Sequence, residues 1–232
     1  MIYLLFRQLQ FPLKEIRRIL DSPDFDPRDA LQQQINPHFL YNTLDSIAIL
    51  AESDRSEDVV TMVTSLSTFF RNSLNKGNDI LTLGTECSQV TSYLEIQQIR
   101  YSDILRYEIS IPQELMDCMV PKLILQPLVE NALYHGIKNR RGMGTITVTG
   151  QSDGNDLLLK VTDNGAGMDE AQLAELYRRM HESEQTGRGI GLGNISRRIS
   201  ILYPEGSFRI CSRPNRGTVI QFTIPQYERS DG

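Results

Sequence analysis

The sequence predicts an α+β protein, a helical N-terminal part followed by a mixed sheet with helices on one face. Three observations predict it. Residues 29–76 carry leucine and isoleucine at three- and four-residue intervals and no glycine, which is a helical pattern. The stretch NKGND at 75–79 is the clearest break in the chain. Beyond it, strand-like alternation and helical periodicity interleave and end in a hairpin.

In chain order, LKEIRRIL (13–20) is a short helical pattern closed by the turn-rich DSPDFDP (21–27). After the helical region 29–76, ECSQVTSYLEIQQIRY (86–101) reads as a helix and LRYEISI (105–111) as a strand. PKLILQPLVENALYHGI (121–137) reads as one long helix, with Pro121 near its start, where a missing N–H is tolerated. GTITVTGQ (144–151) and DLLLKVTD (156–163) alternate as strands on either side of the turn SDGN. EAQLAELYRRMHE (170–182) and GNISRRISILY (193–203) are helical, and SFRICSRP (207–214) with GTVIQFTIP (217–225) closes as a hairpin around Asn215 and Arg216. No internal repeat is present.

Composition excludes some classes. At 232 residues, 40% hydrophobic and 23% charged, the chain is an ordinary globular one with room for one large domain or two smaller ones. A net charge of -5 gives no general attraction to nucleic-acid phosphates or anionic membrane, so neither is expected as a partner. Cys87, Cys118 and Cys211 are widely spaced and outside any metal-ligand pattern, as expected for reduced thiols of a cytoplasmic protein. The opening MIYLLF is too short to span a bilayer and lacks a signal-peptide cleavage region.

His38 is one of three histidines, and it follows Pro37 inside an otherwise helical run. A proline there removes a backbone donor and clashes with the preceding turn. With about 100° per residue, Leu40, Leu44, Ile47 and Ala51 fall on one side of the helix. His38 then points roughly 150° from the centre of that stripe, with Asn42 and Asp45 within about 40° of it. Leu31 and Ile35 lie near the His38 face, so the stripe changes sides at Pro37, and a kink there would present the imidazole outward.

Three further motifs carry polar residues and glycines. VTDNGAGM places Asp163 at a strand end, followed by Gly165 and Gly167. TGRGIGLGN supplies Gly187, Gly189, Gly191 and Gly193 before a helix, where free N–H groups suit phosphates. In QPLVENALYHGIKN, Glu130, Asn131, His135 and Lys138 punctuate an apolar helix, and Asn131, His135 and Lys138 can share one face. An amide oxygen such as that of Asn131 suits Mg²⁺, a hard cation otherwise held by phosphates. Neither the P-loop nor the dinucleotide-binding glycine pattern is matched.

The order ENALYHG, DNGAGM, GRGIGLGN and GTVIQFTIP resembles the GHKL-type ATP-binding fold shared by histidine kinases, gyrase, Hsp90 and MutL. INPHFLYNTL resembles the phosphoacceptor segment of LytS/YehU-type sensor histidine kinases, and together the motifs cover residues 29–226. The resemblance implies a helical dimerisation and histidine-phosphotransfer domain at 29–78, then an ATP-binding α/β sandwich at 79–227, with a tail at 228–232. It implies that His38 is phosphorylated from ATP-Mg²⁺, that Asn131 coordinates Mg²⁺ and that Asp163 accepts the adenine amino group. Gly165 and Gly167 would shape the adenine pocket. Gly187, Gly189 and Gly191 would let the lid approach the triphosphate, with Thr218 near the adenine and His135 and Lys138 near the phosphates. The partners implied are a second copy of the chain and a response regulator receiver domain, with a membrane sensor possible in a longer native protein.

Two positions depart from related patterns. Many histidine kinases place an acid directly after the phosphoacceptor, where this chain has Phe39, as LytS-type relatives do. Glu130, Asp45 and solvent stay open as proton acceptors, and Asn42 stands with Glu130 as a further catalytic candidate. Hydrolytic members of the superfamily place a glutamate four residues before the asparagine, where this chain has Pro127, which favours transfer to a protein nucleophile over hydrolysis. Residues 1–28, with FPLKEIRRILDSPDFDPRDALQQQ, resemble a fragment of MerR-type regulators that lacks the DNA-reading part, as in a fused segment. Two other functions stay open on the residues alone: a GHKL-type ATPase or serine kinase acting on another protein, and a non-catalytic dimerising regulatory module.

Overall fold

The computed structural model describes residues 37–73, 79–186 and 191–227. The chain forms two compact units. One comprises residues up to Gly77 with Thr91–Tyr101, and the other Asn78–Val90 with Ser102–Gly232. The MerR-like segment lies outside the described residues. Among the described residues no helix is long and apolar enough to cross a membrane.

The first unit contains α1 (Pro37–Glu52), α2 (Ser56–Ser73) and the second half of α3 (Leu83–Arg100). Asp54 takes a left-handed conformation (φ 54°) just past α1, and the Arg55 N–H bonds back to the Leu50 carbonyl at 3.1 Å. That closure satisfies a carbonyl the helix end would otherwise leave unpaired. α2 begins with Glu57 and Asp58, acids that complement the N-terminal end of a helix dipole. It buries Val59, Met62, Val63, Leu66, Phe69 and Phe70 at helical spacing. The centre of the unit is aromatic: the Phe39 ring lies 5.0 Å from Phe69 and 5.2 Å from Tyr93.

α1 is turned otherwise than the leucine spacing predicts. Its buried positions are Phe39, Thr43 and Leu50, while Leu44 is 46% exposed and Ala51 is exposed. The ring at position 39 packs into the aromatic centre, and Thr43 joins that face by donating its hydroxyl to the Phe39 carbonyl at 2.7 Å. Tyr41, Leu44, Ala48 and Ile49 are left as an exposed apolar band. The helix expected before Pro37 lies outside the described residues.

In the second unit β1 (Ile80–Thr82) and β3 (Met119–Pro121) form a two-stranded antiparallel ribbon. The main sheet contains β2 (Leu105–Ser110), β4 (Gly144–Asp153), β5 (Asp156–Asp163), β6 (Ser207–Arg213) and β7 (Gly217–Pro225), in the order β2-β4-β5-β7-β6. β2 pairs parallel with β4, and the other pairs are antiparallel. Alternate residues of β4, β5 and β7 are buried, including Ile146, Val148, Leu159, Val161 and Phe222. This is the period of a sheet with one face on a core. α4 (Gln126–Asn131), α5 (Glu170–Thr186) and α6 (Gly191–Leu202) complete the unit, and Leu128, Val129, Ile195 and Ile199 are buried. The chain is α+β, with a mixed sheet and helices, as its patterns predict. Cys87, Cys118 and Cys211 form no disulfide with one another, and burial pushes the Cys87 thiol up to about 12.

The long helix predicted over 121–137 is several elements. Pro121 ends β3, and Leu123 has φ 58°, which no right-handed helix accommodates. α-Helix begins only at Gln126, then gives way to a π turn at Ala132–Gly136 and a 3-10 turn at Ile137–Asn139. Glu86, in the first turn of α3, sets that start. Its carboxylate accepts the N–H groups of Leu123 (2.7 Å), Ile124 (3.0 Å) and Leu125 (3.3 Å).

Phe39→Ala should destabilise the chain by about 3–5 kcal/mol, because it removes the ring that joins α1 to the aromatic centre. Leu44→Ala, at an exposed position, should stay within roughly 0.5 kcal/mol in the monomer. Urea denaturation followed by circular dichroism at low protein concentration separates the two. Equal midpoints for the two variants would refute the assignment of the buried face.

Candidate functional site

The second unit contains a cleft of about 650 Å³ lined from α4 and its π turn, the segment after β5, α5, the start of α6, and Thr218 of β7. That volume suits a small-molecule ligand the size of a nucleotide. At its floor β5 ends on Asp163, which is 4% exposed. Oδ1 of Asp163 accepts the Gly165 N–H at 2.8 Å, and the Thr218 N–H also donates to the carboxylate. Burial pushes this carboxyl above the usual aspartate range, against those two N–H groups and the Arg140 guanidinium, which pull it down.

The backbone reaches this arrangement only through glycines. A Cβ on Gly136 would stand 2.5 Å from Asp163 Oδ1, and one on Gly165 would stand 2.3 Å from the Gly136 carbonyl carbon. A Cβ on Gly217 would fall 1.9 Å from the Asp163 carbonyl oxygen. Gly167 has φ +64°, a conformation side chains disfavour. The turn is then sewn down by Ala166 N–H to Gly136 O (3.1 Å) and Asn215 N–H to Ala166 O (2.6 Å). Arg140 also donates to the Asn164 carbonyl, and the Asn164 side chain accepts the Thr145 N–H at 2.8 Å.

One wall is α4, which brings Glu130 and Asn131 to the cleft, continued by Tyr134 and His135 of the π turn. Gln126 Nε2 donates to Glu130 Oε1 at 2.9 Å, and burial pushes the Glu130 carboxyl up. Asn139 ends the segment by donating to the carbonyls of Tyr134 (3.3 Å) and His135 (3.1 Å). Of the three residues expected to share a face, Asn131 and His135 both line the cleft, on either side of the change from α-helix to π turn. Lys138 is not among the lining residues, and its Nζ lies 4.7 Å from the Tyr134 ring centroid.

The opposite wall is α5. It starts with a reciprocal cap, in which Gln172 N–H donates to Asp169 Oδ1 (2.8 Å) and Asp169 N–H donates to Gln172 Oε1 (2.9 Å). Gln172, Glu175, Leu176 and Arg179 reach the cleft. The Tyr177 hydroxyl fixes the helix to β6, accepting the Ile210 N–H (3.1 Å) and donating to the Ile210 carbonyl (3.2 Å).

The structure therefore brings together Glu130, Asn131, His135, Asp163, Gly167, Gly191 and Thr218. Gly165 is buried just behind the lining, and Thr218 Oγ1 shares a hydrogen bond with Ser212 Oγ (2.9 Å). Gly187 and Gly189 lie outside the described residues. His38 and Asn42 belong to the helical unit, where both are exposed on α1. Gly136, Gly217 and Glu86 were missed in the sequence. The two glycines sit inside quoted motifs, but what demands them is Asp163, distant in the chain. Among the described residues no group of three or more His, Cys, Asp and Glu could hold a metal by itself. Asn131 and Glu130 offer oxygen donors, which fit a hard cation that arrives with phosphates of its own.

Both parts of the chain match known families. The family model described as histidine kinase matches residues 28–105. The model described as histidine kinase-, DNA gyrase B-, and HSP90-like ATPase matches residues 119–228, the part that holds the cleft. The chain belongs to the histidine kinases. The ATPase-family match implies ATP as the ligand of this histidine kinase's cleft. Sensor histidine kinase YesM of Bacillus subtilis (strain 168) is 41% identical over 197 residues, covering 84% of this chain and 33% of that protein. Sensor protein LytS of Staphylococcus haemolyticus is 35% identical, covering 85% of this chain and 34% of that protein. Sensor histidine kinase YpdA of Escherichia coli (strain K12) is likewise 35% identical, covering 84% and 34%. The histidine kinase chain thus spans about a third of the length of these curated relatives.

Proposed function

We propose that the chain is the catalytic core of a sensor histidine kinase in a two-component system. It transfers the γ-phosphoryl group of ATP to His38 and passes it on to an aspartate of a response regulator receiver domain. The observation that carries this reading is the buried Asp163 carboxylate at the floor of a glycine-walled cleft, in a chain that also exposes a histidine on α1. A carboxylate there is an acceptor for the adenine amino group, and burial makes the bond selective, because an unpaired polar group inside is costly.

The roles follow from position. Gly165 and Gly167 shape the adenine end, and Thr218 supports Asp163 through its backbone N–H. His135 lines the cleft and Lys138 follows it in the chain, both as donors for phosphate, and Gly191 lines the cleft where the glycine motif begun by Gly187 and Gly189 would approach the triphosphate. Mg²⁺, bound through Asn131 and the phosphates, would offset the charge of the transferring group. An imidazole nitrogen of His38 attacks the γ-phosphorus. The N–P bond forms as the bond to the β,γ-bridging oxygen breaks, and ADP leaves with that oxygen. Glu130 is the proposed acceptor of the ring proton, since burial gives it a higher proton affinity than an exposed carboxylate has. Asn42, one helical turn from His38, is placed to orient the ring. Pro127 lines the cleft where a water-activating glutamate would stand, which favours transfer over hydrolysis. The exposed band Tyr41, Leu44, Ala48 and Ile49 suits pairing with a second copy of the chain.

With ATP and Mg²⁺, the wild type should gain acid-labile, base-stable phosphate and His38→Gln should gain none. Labelling of His38→Gln at the wild-type rate would sink the assignment and favour a serine kinase. Asp163→Ala should lose about 1–3 kcal/mol of ADP affinity in calorimetry. The carboxylate must be ionised to accept the amino hydrogen, and its raised pKa means that proton uptake begins above the usual aspartate range. Wild-type affinity should therefore fall as pH is lowered through that raised value, with no such fall in Asp163→Ala. Finally, Leu44→Glu should shift the chain from dimer to monomer in sedimentation equilibrium, and an unchanged mass would argue against α1 as the interface.

A further inference from the structure

Among the buried polar residues of α3, two that the transfer chemistry does not use reach toward the cleft. Glu86 and Gln89 are each 1% exposed and lie one turn apart on one face of the helix. Both reach the N-terminal end of α4. Glu86 takes the three N–H groups that lead into it. Gln89 Nε2 donates to Gln126 Oε1 at 2.7 Å, and Gln126 Nε2 donates onward to Glu130 Oε1 at 2.9 Å. The relay ends on a carboxylate that lines the cleft, beside Asn131.

This clamp supplies what α4 lacks. The helix spans only six residues, and its cap position is Leu125, whose side chain makes no capping bond. So short a helix does not hold its own geometry in water. Arg198 of α6 braces the same turn from outside, donating to the carbonyls of Lys122 and Asp79, the latter at 3.2 Å. A small divalent cation such as Mg²⁺ tolerates little deviation from octahedral geometry, so its protein ligands must be held still.

We propose that Glu86 and Gln89 are positioning residues for the divalent cation of the cleft. Glu86 sets the start of α4, and Gln89, through the relay to Gln126 and Glu130, holds the turns of α4 that carry Asn131. The inference rests on the reading of the cleft as an ATP-Mg²⁺ site. It predicts that losing the clamp weakens the metal-dependent part of nucleotide binding and spares the adenine end, where Asp163 is held by N–H groups of Gly165 and Thr218 from the sheet side.

The test is calorimetry of ADP binding to the full chain with and without Mg²⁺, for the wild type, Gln89→Leu and Glu86→Gln. Removing such outer partners typically weakens metal sites by about 10–100-fold, so Gln89→Leu should lose at least about ten-fold of the Mg²⁺-dependent gain while its metal-free affinity changes by less than about two-fold. Glu86→Gln should behave alike, and if circular dichroism shows that it does not fold, Gln89→Leu decides alone. A full Mg²⁺-dependent gain in the variants overturns this inference and leaves the nucleotide site standing. Equal losses with and without Mg²⁺ overturn it too, since they describe general damage to the fold. A wild type that binds ADP with no gain from Mg²⁺ overturns the cation reading and the inference together.

Discussion

Asp163 lies where three backbone segments converge, and burying its carboxylate there imposes conditions on all of them. The group cannot be solvated by bulk water, so N–H donors must come from Gly165 and Thr218. Those donors reach it only if the π turn, the segment after β5 and the start of β7 approach more closely than any side chain allows. The glycines at 136, 165 and 217 are consequences of that packing as much as of any ligand. The same packing leaves the carboxylate facing the cleft, where it can accept a further hydrogen bond.

The helical unit meets the converse requirement, a histidine presented to solvent from a helix. Adjacent residues on a helix point about 100° apart, so a core residue at one position turns its neighbour away from the core. Phe39 provides that anchor against Phe69 and Tyr93, and His38 is exposed beside it. A carboxylate at position 39 could not have been buried among those rings without a large desolvation cost. Under the proposed transfer to His38, with the ring of Phe39 as the anchor, acid–base assistance falls to another residue, the role proposed above for Glu130.

Legibility in the sequence followed the range of the interactions. β4, β5 and β7 were visible because their alternation is local, and the DNGAGM turn because its glycines are adjacent to the acid they serve. The break at residues 75–79 was visible as composition. What escaped was set at a distance. The ribbon of β1 and β3 joins strands of three residues each, too short to show a period. The start of α4 depends on Glu86, 37 residues before Leu123, so the apolar run before it passed for helix. On α1 the leucines drew attention to one face while the larger Phe39 took the core, because counting apolar positions does not weigh their volume.

One hydroxyl has a consequence beyond the cleft. Among the described residues β6 ends the sheet, with no strand paired to its outer edge. Such an edge invites another chain to add itself as a further strand, which is how soluble proteins begin to aggregate. Tyr177 engages the N–H and the C=O of Ile210, midway along β6, and occupies the two groups a recruited strand would pair with there. The helix that walls the cleft thus also guards the sheet margin. An edge occupied in this way offers an incoming strand fewer groups to pair with.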